Sequence, residues 1–160
     1  MLRRTAIGLV LALLVALPVG AQDFEQGAAA AEIGDYATAL QEWRPLAENG
    51  NADAQYKLGF MYEEGRGVPL DGIESAKWYR KAARQGHAAA QRSLGLKYEY
   101  GLGVPQDYVL AHMWYNLAAI GGDKFGARAR DAFAKRMTPA QLAEAKKLAR
   151  EWWAKHPNKK

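Results

Sequence analysis

Small and apolar residues in the middle of the chain recur three and four positions apart. Ala54, Leu58, Gly59 and Tyr62 fall on one stripe of a helix, and their spacing predicts a helix over about 52–64. Gly65 can release the chain in a left-handed conformation. Gly65-Arg66-Gly67-Val68-Pro69 then makes a turn that neither helix nor strand tolerates. Asp71 is placed to cap a second helix, with Glu74 completing a capping box. That helix carries Ser75, Trp78, Tyr79, Ala82 and Ala83 inward and ends at Gly86.

The same pattern then starts again. Residues 52–87 and 88–123 superimpose at an offset of 36 with 17 identities and no gap, which predicts helices near 89–100 and 108–120. Self-similarity at this period marks a solenoid, whose units are too small to bury their own apolar faces and so stack on one another. Upstream, Trp43 stands opposite Tyr79 and Gly50 opposite Gly86 at the same spacing, behind a shorter turn, Gly34-Asp35-Tyr36. Residues 22–51 therefore read as a divergent first repeat, with its first helix between about 23 and 33.

Beyond the repeats at 52–87 and 88–122, Phe125, Ala129, Ala132 and Phe133 form an apolar stripe over Lys124–Arg136. Thr138, Pro139 and Gln141 make a strong helix start, and a last helix over about 139–155 should bury Leu142, Ala145, Leu148, Ala149 and Trp152. Residues 123–156 are expected to cap the open apolar end of the stack, with 157–160 a frayed tail.

The two units share Ala-x-x-x-Leu-Gly-x-x-Tyr-x-x-Gly-x-Gly-Val-Pro-x-Asp followed by Trp-Tyr-x-x-Ala-Ala-x-x-Gly. This motif is similar to that of the Sel1-like repeat family, and Gly34-Asp35-Tyr36 resembles the related tetratricopeptide turn. The resemblance implies an all-α, right-handed α-solenoid of antiparallel helix pairs. In bacterial relatives it implies envelope or secreted adaptors and regulators that bind other proteins. Cysteine-rich relatives linked to β-lactams owe their frame to disulfides, and this chain of 160 residues has no cysteine.

At the amino terminus Arg3 and Arg4 precede an apolar run, Ala6–Leu17, of 12 residues. That is short of the roughly 20 a membrane-spanning helix needs, so a retained anchor is the weaker reading. Val19-Gly20-Ala21 fits a signal-peptidase site, and we expect residues 1–21 to be removed between Ala21 and Gln22, giving a periplasmic or secreted product. No cysteine follows the run, which argues against a lipoprotein. Residues 22–122 carry a net charge of −4 and residues 123–160 of +7, so the stack is mildly acidic and the tail basic.

Catalytic patterns are weak. Gly65/Gly67 and Gly101/Gly103 follow helices and lack the third glycine and preceding strand of a phosphate loop. His87, His112 and His156 lie in separate segments, and no pair has the spacing that puts two metal ligands on one helical face. Ser75 and Ser93 occupy helix positions of the repeat, which speaks against a serine nucleophile. Glu63 and Glu64 are adjacent and diverge on their helix, which disfavours paired acid and base roles. No catalytic, cofactor or metal residues are assigned, and nucleic acid is not an expected partner.

The groove remains. Carrying the tetratricopeptide register through Leu58-Gly59 and Tyr62 puts Asp53, Tyr56, Phe60 and Glu63 on the concave side, with Ala89, Arg92, Leu96 and Glu99 as counterparts. Phe24, Ala28 and Ala31 come from the first unit. Anchors of this kind beside a few charges suit a peptide or a partner's helix, although the same apolar positions would also serve as packing between repeats. The function expected is a monomeric, non-enzymatic protein-binding module. Its rival is a binder of anionic glycolipid or phospholipid using Arg128, Lys135, Arg136, Lys146, Lys147 and Arg150. A cell-wall hydrolase is the least supported reading, since no activated nucleophile is visible.

Overall fold

A computed structural model describes residues 19–156, and every regular element among them is helical. The helices are α1 (Val19–Glu32), α2 (Tyr36–Glu48), α3 (Ala52–Glu64), α4 (Gly72–Arg84), α5 (Ala88–Tyr100), α6 (Tyr108–Ile120), α7 (Lys124–Ala134) and α8 (Pro139–Lys155). Helices α1/α2, α3/α4 and α5/α6 form successive hairpins, and each second helix packs on the first helix of the next unit. The expected signal segment lies largely outside the described residues, as does the tail after His156; α1 begins at Val19, earlier than the sequence pattern placed it.

Termini follow the local chemistry. The side chains of Asn51, His87 and Asp123 each accept the backbone N–H three residues on, capping α3, α5 and α7. Gly65 and Gly101 end α3 and α5 at φ 65° and 68°, left-handed values open to glycine. Asp71 caps α4 through the N–H groups of Ile73 and Glu74, but the box is not closed there: the Glu74 carboxylate turns outward to Lys77, at 2.8 Å. At α8 the box forms in both directions between Thr138 and Gln141.

The core repeats as the chain does. Leu58 and Leu94 are fully buried, as are Ala54 and Ala90, in clusters completed by Trp43, Trp78, Tyr79 and Trp114. Gln55 and Gln91 are buried polar residues in the same frame. Each donates its amide to the carbonyl of Ala47 or Ala83, at 3.0 and 3.1 Å, and so occupies acceptors at the end of the preceding second helix.

The second glycine of each Gly-x-Gly has a structural role. A Cβ on Gly67 would lie 2.7 Å from the Tyr36 carbonyl oxygen, and one on Gly103 would collide with the Gly72 backbone. Each turn thus rests on the start of the preceding unit's second helix, closer than any side chain permits.

After α6 the plan changes. Helix α7 keeps the place and register of a first helix, with Gly126 and Phe133 buried at the positions of Ala54/Ala90 and Met61/Lys97. Phe125 departs from the expected apolar stripe: it is 66% exposed, and Ala132 is exposed as well. Helix α8 does not pair with α7 as a second helix would; it packs on α6. Its seat is Leu110, Met113 and Leu117, which replace the Glu74, Lys77 and Lys81 of α4 and cluster with Leu148, Ala149, Trp152 and Trp153. An outer face that is charged in one unit is apolar in the next because a helix covers it.

Candidate functional site

The first helices α1, α3 and α5 carry the residues that the sequence assigned to a concave face. Between α1 and α3 a cleft of about 240 Å³ opens, lined by Ala28, Ala31 and Glu32 on one side and Lys57, Phe60 and Arg66 on the other, with Tyr36, Trp43 and Met61 completing it. Its apolar walls carry cations at the rim. The Arg66 guanidinium lies 5.1 Å from the Phe60 ring centre and 5.3 Å from that of Tyr36, whose hydroxyl it also meets at 3.0 Å. The Lys57 ammonium stands 5.5 Å from the Trp43 ring centre.

Most of the remaining assigned residues are engaged within their own hairpin or with the next one. Phe24 packs on Trp43 at 6.0 Å between ring centres, and its carbonyl accepts the indole N–H at 3.1 Å. Tyr56 stacks on His87 at 4.7 Å, and Asp53 meets the other side of that imidazole, 3.2 Å from Nε2. Arg92, the counterpart of Tyr56, reaches Asp123 at 3.1 Å and lies over the Phe125 ring. Both therefore contact the residue that caps the following first helix. Leu96 is 38% exposed and Ala89 is half-buried.

Glu63 and Glu99 form a second repeated junction. Glu63 accepts the Tyr79 hydroxyl at 2.7 Å with one oxygen and the Lys97 ammonium at 2.9 Å with the other. Glu99 accepts Tyr115 at 2.7 Å and Arg136 at 2.7 Å in the same way. In each case the hydroxyl comes from the same hairpin and the cation from the next first helix or its end. Burial, reinforced by the carboxylate, pushes both phenols well above their ordinary range. Glu99 is 7% exposed and Lys97 is 2% exposed, whereas Glu63 and Arg136 keep a face to water, so each junction joins one buried partner to one that solvent reaches.

His87 shows two opposed influences. Asp53 favours its protonated form, but burial outweighs it and holds the imidazole below its usual pKa. The geometry agrees, because Nδ1 accepts the Ala90 N–H at 3.1 Å and so carries no proton of its own.

Lys57, Tyr36 and Arg66 were missed as cleft residues. Arg66 occupies the variable position of Gly-x-Gly, and nothing in a single copy of the turn shows that it folds back over Phe60. The six cations that the sequence offered to an anionic surface do not form one patch. Arg136 is held by Glu99 and Lys147 lies 3.6 Å from Glu144, while Arg128, Lys146 and Arg150 are exposed on two different helices. Among the described residues no three His, Asp or Glu side chains gather as metal ligands, and no helix is long and apolar enough to cross a membrane.

A family model described as Sel1 repeat matches residues 52–87 and 88–123. Among solved structures, the chain is similar to a Sel1 repeat protein from Oxalobacter formigenes, at 37% identity and a TM-score of 0.66 over 71% of this chain and 89% of that one. It is also similar to a protective antigen of uropathogenic Escherichia coli strains that displays an SLR fold, at 35% identity and a TM-score of 0.81. That match covers 86% of this chain but spans only 30% of the antigen. No protein of curated function matches.

Proposed function

The chain belongs to the Sel1 repeat family, and on that premise we propose that it is a non-enzymatic adaptor or regulator that holds a polypeptide on its concave face. Repeats of this family serve as protein-binding scaffolds. The observation that carries the reading here is the cleft between α1 and α3, where Phe60 and Ala31 provide apolar contact and Lys57 and Arg66, against the single acid Glu32, border it with a net positive charge. Such a site suits a side chain or helix edge that is apolar at its centre and acidic at its margin.

The amino-terminal arginines and the short apolar run support export to the cell envelope, which the amino-terminal sequence of the protein purified from envelope extract tests: a start at Gln22 is expected, and a start at Met1 would oppose it. Groove binding is tested by capturing partners from that extract with Phe60→Ser and Lys57→Glu variants. Loss of the captured partner with an unchanged circular dichroism spectrum is expected. Capture equal to the parent protein's would count against the groove.

A further inference from the structure

Four positions in the last third of the chain depart from the repeat pattern, and all four border one cleft. In the first two units an arginine of the second helix donates to a tyrosine hydroxyl on the following first helix, Arg44 to Tyr62 at 3.2 Å and Arg80 to Tyr98 at 3.0 Å. The same two positions, 36 residues beyond Arg80 and Tyr98, hold Asn116 and Ala134. Two bulky side chains have given way to two short ones at a single contact. His112 stands where α4 has Ala76, and Arg130 where α3 and α5 have the buried Leu58 and Leu94. Together they leave a cleft of about 300 Å³ between α6, α7 and α8, with Asp131 and Lys146 on its border.

The groups around it are mostly donors. His112 is 2% exposed, and its Nδ1 is buried without a hydrogen-bond partner. That atom has no surface open to the cleft, so the ring nitrogen left to meet a bound molecule is Nε2. Burial, together with Lys146 and Arg130, holds this imidazole below its ordinary pKa despite Asp131, so at neutral pH it is uncharged and carries one N–H and one acceptor nitrogen. Arg130 gives its Nε to Asp131 at 2.7 Å, and a guanidinium has four further N–H donors. The Lys146 ammonium and the Asn116 amide add to them.

We propose that this cleft binds a compact oxyanion, the phosphate or carboxylate group of a small solute. Arg130 and Lys146 supply the opposing charge, while His112 and Asn116 supply neutral contacts that fix orientation. Asp131 offsets one of the cations, which favours a group of low net charge. A metal cation is disfavoured by the same two basic side chains. This site is separate from the groove between α1 and α3, and neither depends on the other.

The test is nuclear magnetic resonance of the His112 ring nitrogens in the full chain, titrated with sodium phosphate and separately with sodium acetate, with sodium chloride at matched ionic strength as reference. A saturable shift with phosphate, with acetate or with both is expected, and the two arms identify the preferred group. Lys146→Gln, at an exposed position, should weaken the apparent affinity about tenfold. Asn116→Arg combined with Ala134→Tyr restores the pair found in the other units and refills the cleft, so the shift should vanish while thermal stability holds. A response no larger than that to chloride would show that the cleft holds water alone, and one undiminished in both variants would show that the anion binds elsewhere; either overturns the proposal.

Discussion

The ring of Tyr79 occupies the space that a side chain on residue 59 would need: a Cβ built on Gly59 would lie 2.5 Å from Tyr79 Cδ1. The relation recurs at Gly95 with Tyr115, and at Gly27 with the indole of Trp43. It explains why a helix interior tolerates a residue that costs about 1 kcal/mol relative to alanine. Gly59→Ala should therefore destabilise the protein by about 1–3 kcal/mol, the overpacking term exceeding the gain in helix propensity. Thermal or urea unfolding measures it, and a stabilised variant would contradict the packing described.

Glu63 and Lys97 predict an asymmetric pair of effects. Lys97 is 2% exposed and its ammonium is 2.9 Å from Glu63, whose side chain is 33% exposed. Glu63→Gln leaves a buried cation without its counter-charge and should cost about 3 kcal/mol. Lys97→Met leaves a carboxylate that water can still reach and should cost less than about 1 kcal/mol. Urea denaturation of both variants and the double variant gives the coupling, and equal losses from the two single changes would refute the asymmetry.

Alkaline pH should unfold the protein through Tyr79 and Tyr115. Both phenols are raised in the folded state, by burial first and then by Glu63 or Glu99. The folded chain thus retains protons that the unfolded chain gives up near pH 10, so the stabilisation is intact below that pH and falls as pH rises above it. Phenolate absorbance should show these two titrating only as the helical circular dichroism signal is lost. Reversible titration of all 8 tyrosines in the folded protein would contradict this.

Mild acid acts through His87 and His112, whose pKa values are lowered chiefly by burial. An unfolded histidine takes up a proton near pH 6.5 that the folded one resists, so their contribution is present above that pH and is lost as pH falls below it. Melting temperature should drop between pH 7.5 and 5. The drop should be smaller in His112→Ala, which installs the residue of Ala76, and an unchanged pH profile in that variant would exclude His112 as a contributor.

The 36-residue frame made α3 to α6 legible to within two residues, because small residues, aromatic residues and turn glycines recur together there. The same frame hid the glycine of the first unit. Its turn is four residues shorter, so Gly27 precedes Gly59 by 32 positions while Trp43 precedes Tyr79 by 36. The packing of α8 was legible and overlooked: replacing Glu74, Lys77 and Lys81 by Leu110, Met113 and Leu117 announces a covered outer face. Phe125 had no such signal, since helical spacing counts an apolar residue without showing whether a neighbour faces it. In the groove, Phe60 could be placed by register, whereas Glu63 and Glu99 could not be told from solvated charges until Tyr79, Lys97, Tyr115 and Arg136 were seen around them.

Those two glutamates brace each unit against the next. Each ties a hydroxyl of its own hairpin to a cation of the following one, so neighbouring units cannot splay without pulling a carboxylate away from both. On the groove reading proposed above, an arriving polypeptide would meet a wall whose curvature is already set, and the entropy lost on association would fall almost wholly on the visitor.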